Sequence, residues 1–129
     1  MFKRKTTNYN PRVPSGMIAK TEKGYFYVKG LKRFRFISDR ARDSWGLRII
    51  ETTELSMAKS QIAGMVGFRD GTLIKDVSNG KIYLIVDNKR SHLVDPDDFD
   101  ALGFTKKDIL RVSKKEAEFQ KEGEQLNAR

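Results

Sequence analysis

The 129-residue sequence contains no cysteine, a single histidine and only three prolines. Without cysteine there is no disulfide framework and no thiolate zinc site. One histidine, His92, removes most metal sites and every histidine-dependent catalytic pair that does not use it. No apolar run approaches the roughly 20 residues of a membrane-spanning helix. The N-terminal MFKRKTTNYNPRVP is basic but lacks the apolar stretch of a secretory signal. These absences point to a soluble, intracellular or virion-type protein with no membrane partner.

Acidic residues are scarce in the first part of the chain. Residues 1–50 hold 13 Lys and Arg against 3 acids, whereas residues 51–129 hold 13 against 14. The whole +9 excess therefore sits at the N-terminal side. Such asymmetry favours a polyanionic partner or an acidic protein surface. Residues 1–14 read as an extended basic arm. Asn8 and Asn10 favour turns, Pro11 and Pro14 oppose regular structure, and Lys3, Arg4, Lys5 and Arg12 carry the charge.

A pattern then occurs twice. Gly16-Met17-Ile18-Ala19-Lys20 matches Gly71-Thr72-Leu73-Ile74-Lys75, and Gly24 to Val28 matches Gly80 to Leu84. Lys32-Arg33 matches Lys89-Arg90, and Trp45-Gly46-Leu47 matches Leu102-Gly103-Phe104. The offset grows from 55 to 57. Each copy reads as strand, turn, strand, turn, strand, short helix, strand. In the second copy Asp95 is the expected helix cap, Pro96 the first helical residue and Gly103 the stop. In the first, Ser38 caps, Gly46 stops, and Trp45 is the buried anchor.

Leu55, Ala58, Ile62, Ala63 and Val66 recur at helical spacing after Thr53. That spacing predicts an amphipathic helix between the copies. The organisation expected is an arm at 1–14, repeat unit 1 at 15–53, a connecting helix at 54–69, repeat unit 2 at 70–113 and a polar tail at 114–129. The fold class is α+β: two similar small β-rich units, each with a short helix, joined by an amphipathic helix. Gly71, Gly80, Asp95, Gly103 and Trp45 are the structural positions of that scheme.

Motifs with chemical meaning are weak. Ser56-Met57-Ala58-Lys59 spells S-x-x-K, but the partner motifs of the serine enzymes that use it are absent. Asp95, Asp97, Asp98 and Asp100 lack the spacing, central glycine and terminal glutamate of a calcium loop. They suit a helix N-terminus instead. His92 has no evident nucleophile or orienting acid. No enzyme, cofactor, metal or small-molecule substrate is expected. The most suggestive run is Lys29 to Ile37, where Lys32, Arg33 and Arg35 interleave with Phe34 and Phe36, beside Tyr25, Phe26 and Tyr27. Cations with rings suit nucleic acid. The run also reads as a two-sided strand with Phe inward and Arg outward, and aromatics with arginine are the usual anchors of a protein interface.

The second copy, Gly71-Thr-Leu-Ile-Lys, Lys81-Ile-Tyr-Leu-Ile, Asn88-Lys-Arg, Phe99 and Leu102-Gly103-Phe104, resembles a small GTLIK…VYLI…NGKKR…LGF repeat. That repeat is found in tailed-phage virion proteins and in bacterial surface-associated proteins. The resemblance implies a non-enzymatic building block, here a virion structural or adaptor protein assembled in the host cytoplasm, at the neck or tail. Its partners would be other virion proteins in a symmetric assembly. The partner-binding residues expected are Lys3, Arg4, Lys5 and Arg12 of the arm with Tyr25, Tyr27, Arg33 and Arg35. The alternatives are a nucleic-acid-binding module and a bacterial cell-surface module.

Overall fold

The computed structural model describes residues 13–95 and 97–126. The elements run β1 (Ile18–Thr21), β2 (Gly24–Lys29), β3 (Lys32–Phe36), α1 (Asp39–Trp45), β4 (Ile49–Glu51), β5 (Gln61–Val66), β6 (Leu73–Asp76), β7 (Ile82–Val86), β8 (Lys89–His92), α2 (Asp98–Ala101), β9 (Ile109–Val112) and α3 (Lys114–Glu118). The class is α+β with two β-rich units, as expected. Among the described residues, unit 1 comprises 13–36 and 46–66, and unit 2 comprises 37–45 and 67–126.

The sheet of unit 1 has the order β4-β1-β2-β3-β5. Its middle is an antiparallel meander; β4 and β5 flank it in parallel. Val13, Ala19, Val28 and Met57 form a buried cluster, with Phe26 also fully buried. Burying one such side chain contributes about 1.5–3 kcal/mol. Val13 is 4% exposed, so the expected arm stops short of it. Lys3, Arg4, Lys5 and Arg12 lie outside the described residues.

Unit 2 repeats the order as β9-β6-β7-β8. The segment Glu122–Leu126 bridges in parallel to Arg90 and Leu93, just as β5 lies in parallel beside β3. Backbone bonds fix the equivalences. Gly16 donates to Val28 as Gly71 donates to Ile85. Arg33 faces Val28 as Arg90 faces Ile85. Phe26 is therefore the counterpart of Tyr83, one residue from the match expected on the sequence. Both extra residues of the second copy fall in its first hairpin turn. That turn spans Glu22-Lys23 in unit 1 and Val77 to Gly80 in unit 2. The core follows the same correspondence: Val13, Ala19, Val28 and Met57 stand where unit 2 has Phe68, Ile74, Ile85 and Ala117. Thr53 and Ser113 cap equivalent turns, accepting from the amides of Ser56 and Glu116.

Three expectations change. The connecting helix is absent: one turn after Thr53, where Met57 donates to the Thr53 carbonyl, gives way to β5. Pairing with β3 supplies backbone bonds that a lone helix would have to supply itself. Gly64, at φ 153°, lies outside helical space. Secondly, α1 belongs to unit 2, although its sequence lies in the first copy. Ala41 enters the core with Phe68, Ile74, Tyr83 and Ile85, and Ser38 and Arg40 bond to Glu116. Thirdly, the segment after Val112 is not a mere polar tail but part of unit 2. A capping box between Ser113 and Glu116 starts α3, and Gln120 is buried. The Gln120 amide pairs with both the N–H and the C=O of Phe68, as a neighbouring strand would.

Smaller features follow local chemistry. Ser38 caps α1 by accepting from Ala41 N. Asp95 accepts from Asp97 N and leads into α2, whose cap position is Asp97 itself, not Asp95. Gly103 ends that helix at φ 81°, and Gly71 and Gly80 also have positive φ. Asp87 and Asn88 both take positive φ in the tight β7–β8 hairpin, as such turns require. Trp45 is half-buried, its indole N–H donating to the Gly67 carbonyl.

Candidate functional site

Strand alternation places the expected contact residues of unit 1 on two opposite faces. Phe26 and Val28 pair with Arg35 and Arg33, so both arginines share the Phe26 face. Tyr25 and Tyr27 alternate with Phe26 and point the other way. The four residues do not form one surface.

Arg33 is a correction. It is 4% exposed, stacks 4.5 Å from the Phe26 ring, and donates to both oxygens of Glu54 at 2.7 Å. Thr21 completes the carboxylate by donating to the same Glu54 oxygen that Arg33 Nη1 reaches. The Arg33 bonds come first in holding the Glu54 carboxyl down at about 2, against desolvation. Arg33 thus ties the segment after β4 to the sheet and is not presented to a partner. Arg90 plays the same part in unit 2. It stacks 5.5 Å from Tyr83, donates to the Gln120 carbonyl and meets Glu122 at 3.8 Å. Arg35 is half-buried, 4.8 Å from the Phe26 ring, with one bond to the Lys23 carbonyl. Lys20 lies 5.6 Å from the Tyr25 ring.

The surface that the structure adds lies on the opposite margin, around β5. Leu31 is 67% exposed, Leu55 83%, Ile62 41% and Met65 52%. Leu31 and Leu55 line one groove whose floor includes Val13, Val28 and Met57. The Leu31 carbonyl accepts from Gln61 N, which joins the groove to β5. Ile62 and Met65 face Arg33 and Arg35 across the β3–β5 ladder, and so share one face of the sheet. A bulge between these pairs keeps them there.

Unit 2 supplies an internal comparison. By the register equivalences, Leu31, Leu55, Ile62 and Met65 correspond to Asn88, Lys115, Glu122 and Gln125. The same fold positions are polar there. The exposed aliphatic residues are therefore no requirement of the fold. Leu55 and Ile62 are thus exposed, not the buried stripe of a helix that their spacing predicts; the correspondence with Lys115 and Glu122 rests on strand register and lies beyond the repeat visible in the sequence.

In unit 2, Glu116 is the dominant polar centre. Burial pushes its carboxyl up, but bonds from Arg40, Ser113 and Ser38 outweigh that and hold it at about 2. These bonds fasten α1 to α3. His92 lies tilted against Tyr83, with ring centres 5.4 Å apart.

Compared with protein-family models, with curated proteins and with solved structures, the chain matches none. No helix among the described residues is long and apolar enough to cross a membrane.

Proposed function

We propose that this chain is a structural or adaptor protein of a tailed-phage particle, at the neck or tail, which works by docking and performs no chemistry. The observation that carries the docking part is the aliphatic margin of unit 1. Leu31, Leu55, Ile62 and Met65 are exposed where the equivalent residues of unit 2 are Asn88, Lys115, Glu122 and Gln125. Exposed apolar patches rimmed by polar residues are characteristic of protein contacts. The rim here is basic, with Lys29, Lys32 and Lys59 all exposed. The phage context rests on the sequence resemblance of the second copy.

The arm adds a second contact. Lys3, Arg4, Lys5 and Arg12 precede Val13, whose burial gives the arm a fixed root in unit 1. Its natural counterpart is an acidic surface on a neighbouring subunit, with charge steering the encounter. Aliphatic contact residues favour protein over nucleic acid, which is bound through stacking rings and free cations. Arg33, engaged by Glu54, is not such a cation.

The test is assembly. Deletion of residues 1–12, which spares Val13, should leave a folded chain that no longer enters particles in a complementation assay. Normal incorporation of the truncated chain would remove the arm from the mechanism. Particles of unchanged composition and infectivity without the chain would overturn the virion reading altogether.

A further inference from the structure

We infer that the sheet face of unit 1 carrying Tyr25, Tyr27, Phe34 and Phe36 binds single-stranded nucleic acid, with rings stacking on bases and Lys29 and Lys32 meeting phosphates. This face lies opposite to that of Arg33, Arg35, Ile62 and Met65. Tyr27 pairs with Phe34 across β2 and β3, and alternation brings Tyr25 and Phe36 to the same side. All four are half-buried, so each keeps part of its surface at the solvent. The register gives their counterparts in unit 2 as Ile82, Leu84, Ser91 and Leu93. Leu84 and Leu93 are buried there, with Leu102 and Phe104 packed against their cluster. Aliphatic residues and a serine thus satisfy the fold at these positions, and the four rings are particular to unit 1. Rings on neighbouring strands of one sheet face are a platform on which successive bases stack.

The charge distribution calls for an anion at this unit. Residues 1–36 and 46–66 hold 12 Lys and Arg against 3 acids, whereas the rest of the chain holds 14 against 14. The entire +9 therefore belongs to unit 1 and the residues before it. Lys29 and Lys32 stand directly opposite each other on the ring face, both exposed. Like charges so placed destabilise a sheet. Unit 2 avoids this, with Val86 opposite Lys89. Lys32 has Gln61, not an acid, as its neighbour on β5. Neither lysine has an acidic partner among the described residues. The one acid that register places on this face is Glu51, which already meets Lys20 at 3.6 Å. Glu54 is held by Arg33 on the other face, and Glu22 accepts from the Glu54 amide. A strand of phosphates would relieve the Lys29–Lys32 repulsion while its bases cover the rings.

The inference does not rest on the virion reading and is tested on the purified full chain. The readout is the fluorescence anisotropy of a labelled oligothymidylate of about 12 nucleotides, within the span of single-strand platforms. It should bind at low salt. An abasic strand of the same length keeps the phosphates and lacks the bases; it should bind about tenfold more weakly or worse. A duplex of that length, its bases already stacked, should also bind more weakly. Tyr27→Leu/Phe34→Ser installs the residues of unit 2, which this fold accommodates. Its affinity should fall about tenfold or more, with the salt dependence unchanged. Lys29→Val, again the residue of unit 2, should keep the preference for bases over the abasic strand. It should lower the slope of log affinity against log salt by about 0.7, one phosphate contact. No binding at low salt overturns the inference. Equal affinity for the thymidine and abasic strands overturns it as well, since charge alone would then account for binding. Unchanged affinity in Tyr27→Leu/Phe34→Ser removes the rings and so the inference. Each of these failures leaves the arm-deletion test of assembly untouched.

Discussion

Arg33 and Glu54 form a two-pronged ion pair, both N···O distances 2.7 Å, that fastens the segment after β4 to the middle of the first sheet. The pair is nearly buried on the arginine side, at 5% side-chain exposure, and 20% exposed on the glutamate side. Removing one partner leaves the other charge desolvated. Glu54→Gln should therefore destabilise unit 1 by about 3 kcal/mol, toward the lower end for a broken buried pair. Urea unfolding followed by circular dichroism measures it. A loss below about 1 kcal/mol would mean that the pair behaves as a surface contact.

Acid should weaken both units through separate carboxylates. Glu54 and Glu116 each have a carboxyl held at about 2, below the usual 4.5. A lowered folded-state value stabilises above the unfolded value and is lost as pH falls toward the folded one. Stability should be level above about pH 5 and decline between pH 4.5 and 2. Each group contributes about 2–3 kcal/mol. Urea midpoints across that range test this. Glu54→Gln should remove only the share of unit 1, and a flat profile in the wild type would contradict the assignment.

Gly67 abuts the amide of Gln120. A β-carbon there would lie 2.6 Å from Oε1 and 2.7 Å from Cδ, an impossible approach. Gln120 cannot swing aside without losing its bonds to Phe68. Gly67→Ala should cost about 1–3 kcal/mol, as overpacking generally does, and act on unit 2. Gln120→Ala should relieve the clash in the double variant, so the two costs should not add. Additive losses would contradict a direct contact.

The second copy was legible because every local signal agreed there. Asp87-Asn88 suited a tight hairpin, Gly103 a helix stop, and the apolar runs were short and β-branched. The stretch from Leu55 to Val66 was not legible. Apolar residues three and four apart suit a helix as well as two faces of an edge strand. The decision came from β3, whose open side offered backbone partners. The fate of Arg33 was equally hidden: on an alternating strand it reads as a surface cation. Its burial depends on Glu54, 21 residues away in the chain. The location of α1 also rested on a distant residue, Glu116, 78 positions from Ser38. Of the expected contact residues, Tyr25 and Tyr27 stand on one face and Arg35 on the other. The exposed aliphatic set stands out only against the polar residues that unit 2 carries at the same positions.

The central claim is that Leu31, Leu55, Ile62 and Met65 serve a partner and not the fold. Giving unit 1 the residues of unit 2 at those positions tests it directly: Leu31→Asn, Leu55→Lys, Ile62→Glu and Met65→Gln together. The decisive measurement is the thermal midpoint of this fourfold variant beside the wild type. The account predicts a midpoint within about 3 °C, which corresponds to less than roughly 1 kcal/mol. A fall of about 10 °C or more would show that these side chains belong to the core of unit 1, and would contradict the docking surface.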